Sequence, residues 1–524
     1  MNNSLKIRRA LLSVSDKEGI VELAQALFES GAELVATGKT AKVLTDAGLK
    51  IVPIEEISGS PEAFQGRMKT LSFPVCSGIL YRRGDEKDED DLKKLQISPI
   101  DCVVVNFYPF EKAAQRSEIT REQLIEEVDI GGPTLVRAAA KNSPNVLVLT
   151  SPKQYVKVIQ ELRENHRVQA STVASCAAST WERVLSYDSA IARELGGRGR
   201  RVLRYGENPH QKGFLEFDEA GPIGWNESLT SAELSYNNIL DLSAAYALAS
   251  DLNEVLPQYT GVVIIKHNNP CGVAWVPRSI PGAQKIALLR AWEGDPVSAF
   301  GGVLLFTDPI EEDVAAWLSQ HFVELICAPH LTQDSVALKA LLVKRKNLKA
   351  VPLRRLGEIP AESMVVVPGG RLLQTVDRGV EEDLRSVTRR SWPKDKSLLA
   401  QFGIAVCRSL KSNAIALVRE LKFPAGVFQL VGAGQGQPNR VEALKSLAIP
   451  RAQSVLRASE GTLEDCVMVS DAFFPFRDTV DAAHAAGIRY IVQPGGSLKD
   501  GESISACDEH GMAMVFTGLR HFRH

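Results

Sequence analysis

The sequence predicts an α/β protein whose first domain is built on a largely parallel sheet, and three observations carry that expectation. Strand and helix patterns alternate through the first 150 residues. The segment DCVVVNFYPF is apolar along most of its length, as befits a strand covered on both faces. The second half again mixes strands and helices, and its strands end in polar or glycine-rich turns.

RALLSV reads as a strand. SDKEGIVELAQALFESG reads as a helix: Ser15 and Glu18 have capping-box spacing, apolar residues recur at helical intervals, and Gly31 closes it. AELVATG is a strand, KTAKVLTDAG a helix, PTLVRAAAKN a helix and NVLVLT a strand. The charge run RRGDEKDEDDLKK (82–94) is a solvated loop and helix start. Residues 151–195 read as helical. LGGRGRR (195–201) then breaks the periodicity and separates residues 1–197 from 198–524. Beyond it GVVIIK, GGVLLF, FQLVGAG, CVMVSD and YIVQPGG read as strands, with no repeat of fixed short period.

Lys plus Arg total 61 against 63 Asp plus Glu, so no global field draws nucleic acid or anionic membrane, and any anion site must be local. Cys76, Cys102, Cys176, Cys271, Cys327, Cys407, Cys466 and Cys507 stand singly. That spacing excludes a zinc ribbon or thioredoxin-like pair and points to a reducing cytoplasm. The amino terminus is a poor signal peptide, and no apolar window is long enough to span a membrane.

LLSVSDK and VATGKT place Ser13, Ser15, Lys17, Thr37, Gly38 and Thr40 at strand-to-helix junctions, where free N–H groups favour an anion such as a phosphate. Ordinary helix capping accounts for the same residues, and neither segment is a P-loop. GRMKT (66–70) adds Arg67 and Lys69, VNFYPF adds Asn106 and Tyr108, and DIGGPTLVRAAAK (129–141) adds Asp129 and Lys141. A phenol, a carboxylate and two lysines can transfer protons without a metal.

VVIIKHNNPCG (262–272) ends a buried strand with Lys266 and His267. NNPCG demands a turn, which puts both side chains on the rim where they can reach one ligand. That pair suits acyl transfer, with the imidazole taking a proton from an attacking amine and the ammonium meeting the developing oxyanion. A zinc deaminase reading fails at its ligands: Ala274 stands at the second cysteine of P-C-x-x-C, and residues 265–269 supply no H-x-E. LRYGENPHQ offers Arg204 and Tyr205, and SDAFFPFRD combines aromatics with Asp478. TGLRHFRH sets Arg520, Phe522 and His524 on one face if extended, and MAMVF before it argues for a docked terminus.

LLSVSDK, GRMKT, NFYPF, DIGGPTLVRAAAKN, RYGENPHQ, KHNNPCG, SAFGG, GAGQ, SDAFFPFRD, QPGGS and LRHFRH occur in one order across the chain. In this the sequence resembles the bifunctional purine biosynthesis enzymes. These fuse 5-aminoimidazole-4-carboxamide ribonucleotide (AICAR) formyltransferase to inosine monophosphate (IMP) cyclohydrolase. The resemblance implies a methylglyoxal-synthase-like cyclohydrolase domain over 1–197, then a formyltransferase domain of zinc-free, cytidine-deaminase-like α/β subdomains over 198–524. It implies 10-formyltetrahydrofolate as cosubstrate, no metal, no nucleic-acid or membrane partner, a cytoplasmic homodimer, and a transferase site between subunits.

Carried over by residue, Ser13, Ser15, Lys17, Thr37, Gly38, Thr40, Arg67 and Thr70 would hold the cyclohydrolase nucleotide. Lys69, Asn106, Tyr108, Asp129 and Lys141 would surround its reacting groups, with Lys141 a proton-transfer group. In the transferase, His267 would be the general base and Lys266 the oxyanion stabiliser. Arg204, Tyr205, Asn238, Arg520 and Phe522 would hold the ribonucleotide. Phe300, Gly301, Arg440, Val441, Phe473, Asp478 and Gly495 would line the nucleotide and folate pocket, with Glu324 and His524 close by. Four positions depart from the family pattern. Lys39 replaces a phosphate-loop glycine, where a left-handed backbone would cost about 1 kcal/mol. Ser72 and Cys76 replace histidines, and Ala425 replaces an asparagine.

Overall fold

The computed structural model describes residues 4–64, 67–116, 119–196, 198–227, 229–378, 383–459 and 461–524. Gly66 of GRMKT and Gly197 of LGGRGRR lie outside the described residues. The chain divides into two compact units, Met1–Arg198 and Gly199–His524.

The first unit is built on five parallel strands: β1 (Arg9–Val14), β2 (Glu33–Ala36), β3 (Ile51–Pro53), β4 (Cys102–Asn106) and β5 (Leu147–Leu149). Their spatial order is β3-β2-β1-β4-β5. The order reverses between β1 and β4, so a crevice opens outside the carboxyl ends of those two strands. Both sheet faces are covered, because alternate residues of each strand enter different cores. Ala10 and Leu12 pack on one side with Leu23 and Leu27, whereas Leu11, Val103 and Val105 pack on the other with Leu135 and Val136.

One local expectation is corrected and another is refined. The first helix, α1 (Ile20–Glu29), begins after Gly19 in the left-handed conformation (φ 66°) and has no side-chain cap. Ser15 therefore caps nothing, and its backbone N–H goes to Asn106 instead. Residues 151–195 are largely helical, in two long segments. A helix over Tyr155–Asn165 stops at His166 (φ 52°), Val168–Gln169 pairs with Ser4–Leu5, and a second helix spans Ala170–Leu195.

The second unit is built on an eleven-stranded mixed sheet. In chain order its strands are β6 (Tyr259–Lys266), β7 (Asn269–Pro277), β8 (Val303–Phe306), β9 (Leu325–Pro329), β10 (Lys349–Leu353), β11 (Arg385–Ser386), β12 (Ile415–Glu420), β13 (Phe428–Gly434), β14 (Val467–Ser470), β15 (Tyr490–Gln493) and β16 (Ala513–Phe516). In space they run β10-β9-β8-β6-β7-β13-β12-β14-β15-β16-β11. The unit is an internal duplication. A helix, an antiparallel hairpin and three parallel strands occur once from Tyr236–Val255 to β10, and again from Ser397–Ser409 to β16. Even the register shift recurs, at Ile264/Ile265 and at Leu417/Val418.

Val262, Val263, Ile264 and Ile265 are fully buried, each contributing about 1.5–3 kcal/mol. The strand that ends at Lys266 is thereby anchored from both faces. Following the pairings along the sheet, the carboxyl ends of β6, β13, β14, β15 and β16 meet the amino ends of β7, β8, β9, β10 and β12 on one edge.

Candidate active sites

The crevice of the first unit collects most of the residues expected there. Ser13 Oγ and Thr37 Oγ1 lie 2.9 Å apart at the ends of β1 and β2. Asn106, at the end of β4, accepts the N–H groups of Ser15 and Asp16 at 2.6 and 2.9 Å and returns a bond to the Asp16 carbonyl. It thereby sets the loop after β1. Thr40 is buried and spends its hydroxyl on the Val14 backbone. Lys17 donates to the Val14 carbonyl. Burial holds its ammonium below the ordinary lysine range and the charge of Lys39 lowers it further, against the pull of Asp16.

The strain expected at Lys39 falls one residue earlier. Gly38 takes the positive φ of 33° and opens the helix α2 (Gly38–Asp46), and Lys39 sits inside its first turn. A Cβ on Gly38 would stand 2.5 Å from Lys69 Nζ, so the lysine lies directly over that glycine. Lys69 also pairs with Glu62 at 2.7 Å.

A helix, α3 (Gly131–Lys141), starts beside Asp129. Asp129 accepts the Gly132 N–H at 2.9 Å and is also held by the backbone of Tyr108 and Gly131. Burial nevertheless pushes its carboxyl up, with those bonds opposing the shift. Thr70 Oγ1 approaches Gly131 closely, and Tyr108 is largely exposed. Arg67 is turned outward to Glu126.

Lys141 is not brought to this group. It ends α3, ten residues past Gly131 and roughly 15 Å along the helix, towards the amino-terminal edge of the sheet. At two of the departed positions, Ser72 caps the helix Phe73–Leu80 through the Val75 N–H, and Cys76 is half-buried with its thiol pushed up by burial.

In the second unit β6 and β7 form a hairpin whose loop is His267 and Asn268, with φ of 53° and 62°. The turn expected at NNPCG is thus confined to two residues, and Asn269–Pro277 is strand. Left-handed geometry at both loop positions matches the twist of the flanking strands. Lys266 Nζ donates to the Gly301 carbonyl at 2.7 Å. Lys266 and His267 line a cleft of about 200 Å³ with Cys271, Asp295, Ser298, Gln435 and Arg451, among others.

Phe300 packs on Phe322 at 5.1 Å, and Gly301 (φ 67°) has no room for a side chain between Phe322 and Lys266. Asn238 donates to Glu324 at 2.9 Å, and Lys349 pairs with the same oxygen at 3.2 Å. Burial alone would raise the Glu324 carboxyl. The bonds from Asn238 and Lys349, with the charge of Lys266, outweigh it and hold the group below its ordinary value. The loop carrying Arg204 and Tyr205 is tied to the start of the same helix by Asn237, which donates to Glu207.

A second group lies further along the same edge. Arg440 bonds the Phe473 carbonyl at 2.9 Å and both Asn413 and Asp471 at 2.8 Å. Val441 follows it, and Asp478 opens the helix Asp478–Ala485. Gly495 (φ 73°) abuts the Phe516 ring. The terminus is docked: Ser412 and Arg523 exchange hydrogen bonds, and His521 reaches the Asp471 carbonyl. Arg520 and His524 flank the Phe522 ring, at 4.5 and 5.6 Å. β6 and β14 are four strands apart in the sheet, so the Lys266 and Asp471 groups stand about 19 Å apart along the edge.

Residues 139–451 match the model of the AICARFT/IMPCHase bienzyme, and residues 19–134 match that of the MGS-like domain. Proteins described as bifunctional purine biosynthesis protein PurH are similar along their whole length. The one from Acetivibrio thermocellus is 40% identical over 543 residues, covering 99% of this chain and 100% of the relative. Those from Ruminiclostridium cellulolyticum and Aquifex aeolicus are 39% and 40% identical, at 99% and 98% of this chain and 100% of each relative.

The chain belongs to the AICARFT/IMPCHase bienzyme family. It carries the family's two activities, AICAR formyltransferase and IMP cyclohydrolase, the last two steps of purine synthesis. Against that family, the structure adds residues that sequence reasoning passed over. Asn413 shares the Arg440 group, and Asp295, Gln435 and Arg451 share the cleft of Lys266. Asp241 accepts the Asn268 N–H at 2.6 Å. Its one sequence signal is its place three residues after Asn238, on the same helix face.

Proposed function

We propose that the first unit closes the purine ring and the second transfers the formyl group from 10-formyltetrahydrofolate. In formyl transfer, the exocyclic amine of AICAR attacks the formyl carbon. His267 takes the amine proton and Lys266 meets the oxyanion of the tetrahedral intermediate. The C–N bond to the folate then breaks, and the folate nitrogen leaves with a proton. The observation that carries this assignment is the pairing of Lys266 and His267 at the end of one hairpin, both lining one cleft. Asn238, Glu324, Phe300, Gly301, Arg204 and Tyr205 belong to the same half-site.

In ring closure, the carboxamide nitrogen of formyl-AICAR attacks the formyl carbon and the resulting carbinolamine loses water. Lys69, Tyr108 and Asp129 are the proton-transfer groups within reach of the crevice, and Ser13, Ser15, Lys17, Lys39 and Thr37 are the nucleotide-binding side. The distance of Lys141 from Asp129 argues against direct contact with the same reacting atoms.

The transferase works as a homodimer in which Arg520, Phe522, His524, Phe473, Asp478 and Val441 of one copy complete the Lys266 half-site of another. The separation of about 19 Å between the two groups in one chain supports this. All eight cysteines are free, which supports a reducing cytoplasm; no described helix is long and apolar enough to cross a membrane.

Subunit complementation tests the shared site. H267A and R520A, each inactive in formyl transfer alone, regain about a quarter of wild-type activity when their subunits are exchanged, because half the dimers then hold one intact site of two. No recovery after verified exchange would place both residues in a site within one chain.

A further inference from the structure

Among the described residues, His267 and Asn268 are the one place where two consecutive non-glycine residues adopt positive φ. Each such residue costs about 1–2 kcal/mol outside a supporting structure. Asparagine and histidine are among the non-glycine residues that enter this conformation most often, yet two in succession still carry the cost twice. Something must hold the pair in place, and it must do so without blocking the cleft.

The support comes from α4, the helix Tyr236–Val255. Its half-buried Asp241 sends a carboxylate to the loop, accepting the Asn268 N–H at 2.6 Å and a backbone hydrogen bond from His267. These are the donors of the two left-handed residues themselves. The helix is in turn fixed at its start: Ser235 and Asn238 form a reciprocal capping box, and Asn238 Nδ2 reaches Glu324. Asn238 and Asp241 are three residues apart and share one helix face, so a single rigid element braces both the catalytic loop and the Glu324–Lys349 pair.

We infer that Asp241 is a positioning residue for formyl transfer. By binding the backbone of His267 and Asn268 it keeps the loop left-handed, which holds the imidazole at the cleft that Lys266 also lines. This rests on the assignment of His267 as the general base. Asp241 touches neither substrate in this role and acts through His267.

The test is a set of full-length variants assayed for formyl transfer. D241A lowers kcat by about 10²-fold, the scale of loss when a reacting group is misplaced by an ångström, with the KM for AICAR unchanged. D241N keeps an oxygen that accepts the loop N–H groups and retains most of the activity. In an H267A background D241A costs nothing further, because the group it positions is gone. In a D241A background, N268G recovers activity, since glycine takes the left-handed conformation without support. The proposal is overturned if D241A keeps wild-type kcat, or if D241A and H267A lower kcat independently. Undiminished transfer by H267A alone would instead overturn the assignment of the base, and this inference with it.

Discussion

Replacing Arg440 with alanine removes a guanidinium that is 8% exposed and bonded to an Asp471 side chain that is wholly buried. Three acceptors lose their donor together: the Phe473 carbonyl, Asn413 Oδ1 and Asp471 Oδ1. Breaking a buried ion pair from one side costs about 3–5 kcal/mol, because the remaining charge is left without compensation. At about 2 °C per kcal/mol for a unit of this size, the second unit melts roughly 6–10 °C lower. Differential scanning calorimetry, with ring closure followed in parallel, reads this directly. Formyl transfer is lost on heating well before ring closure is. R440K keeps the charge, but its single ammonium cannot serve all three acceptors in their places, so it falls between the two. Unchanged melting with abolished transfer would refute the structural role. It would return Arg440 to the substrate-contacting position that the sequence suggested.

Two further outcomes follow from the geometry. G38A forces Lys69 away, since the added Cβ meets Lys69 Nζ at 2.5 Å; steady-state assays show slower ring closure with formyl transfer untouched. Glu324 ionises below its ordinary range, so its contribution is present above the usual carboxylate pKa and lost as pH falls through the depressed value. E324Q therefore melts lower than wild type at neutral pH, and thermal scans across pH show the gap closing on acidification.

The α/β class was legible because strands such as VVVN and VVII must be covered on both faces, and those runs are where the central strands lie. The duplication was not. Its two halves share topology, a register shift and the glycine paired beside it, Gly272 and Gly432, but few other residues. The pairings Ile265–Val303 and Val418–Val467 bring Lys266 and Arg419 to matching positions. Arg419 is buried and tied to Gln429 and Ser459, a structural use of the place where the first half keeps Lys266. Capping-box spacing at Ser15 and Glu18 misled for a similar reason. A local pattern cannot show that Asn106, ninety-one residues on, will claim the Ser15 N–H.

The site segments could be read from their order, but distances could not. The length of α3 separates Lys141 from Asp129, and the strand order separates Lys266 from Asp471. Asp241 left almost no trace because its partners are backbone N–H groups, which any sequence supplies.

The most direct measurement follows AICAR with 10-formyltetrahydrofolate, and formyl-AICAR by itself, through wild type and H267A. Wild type converts both substrates to IMP. H267A loses about 10²–10⁴-fold in the first conversion and nothing in the second. Equal loss of both by a folded H267A protein, or loss of neither, would contradict the division of labour between the hairpin at Lys266–His267 and the crevice at Asp129.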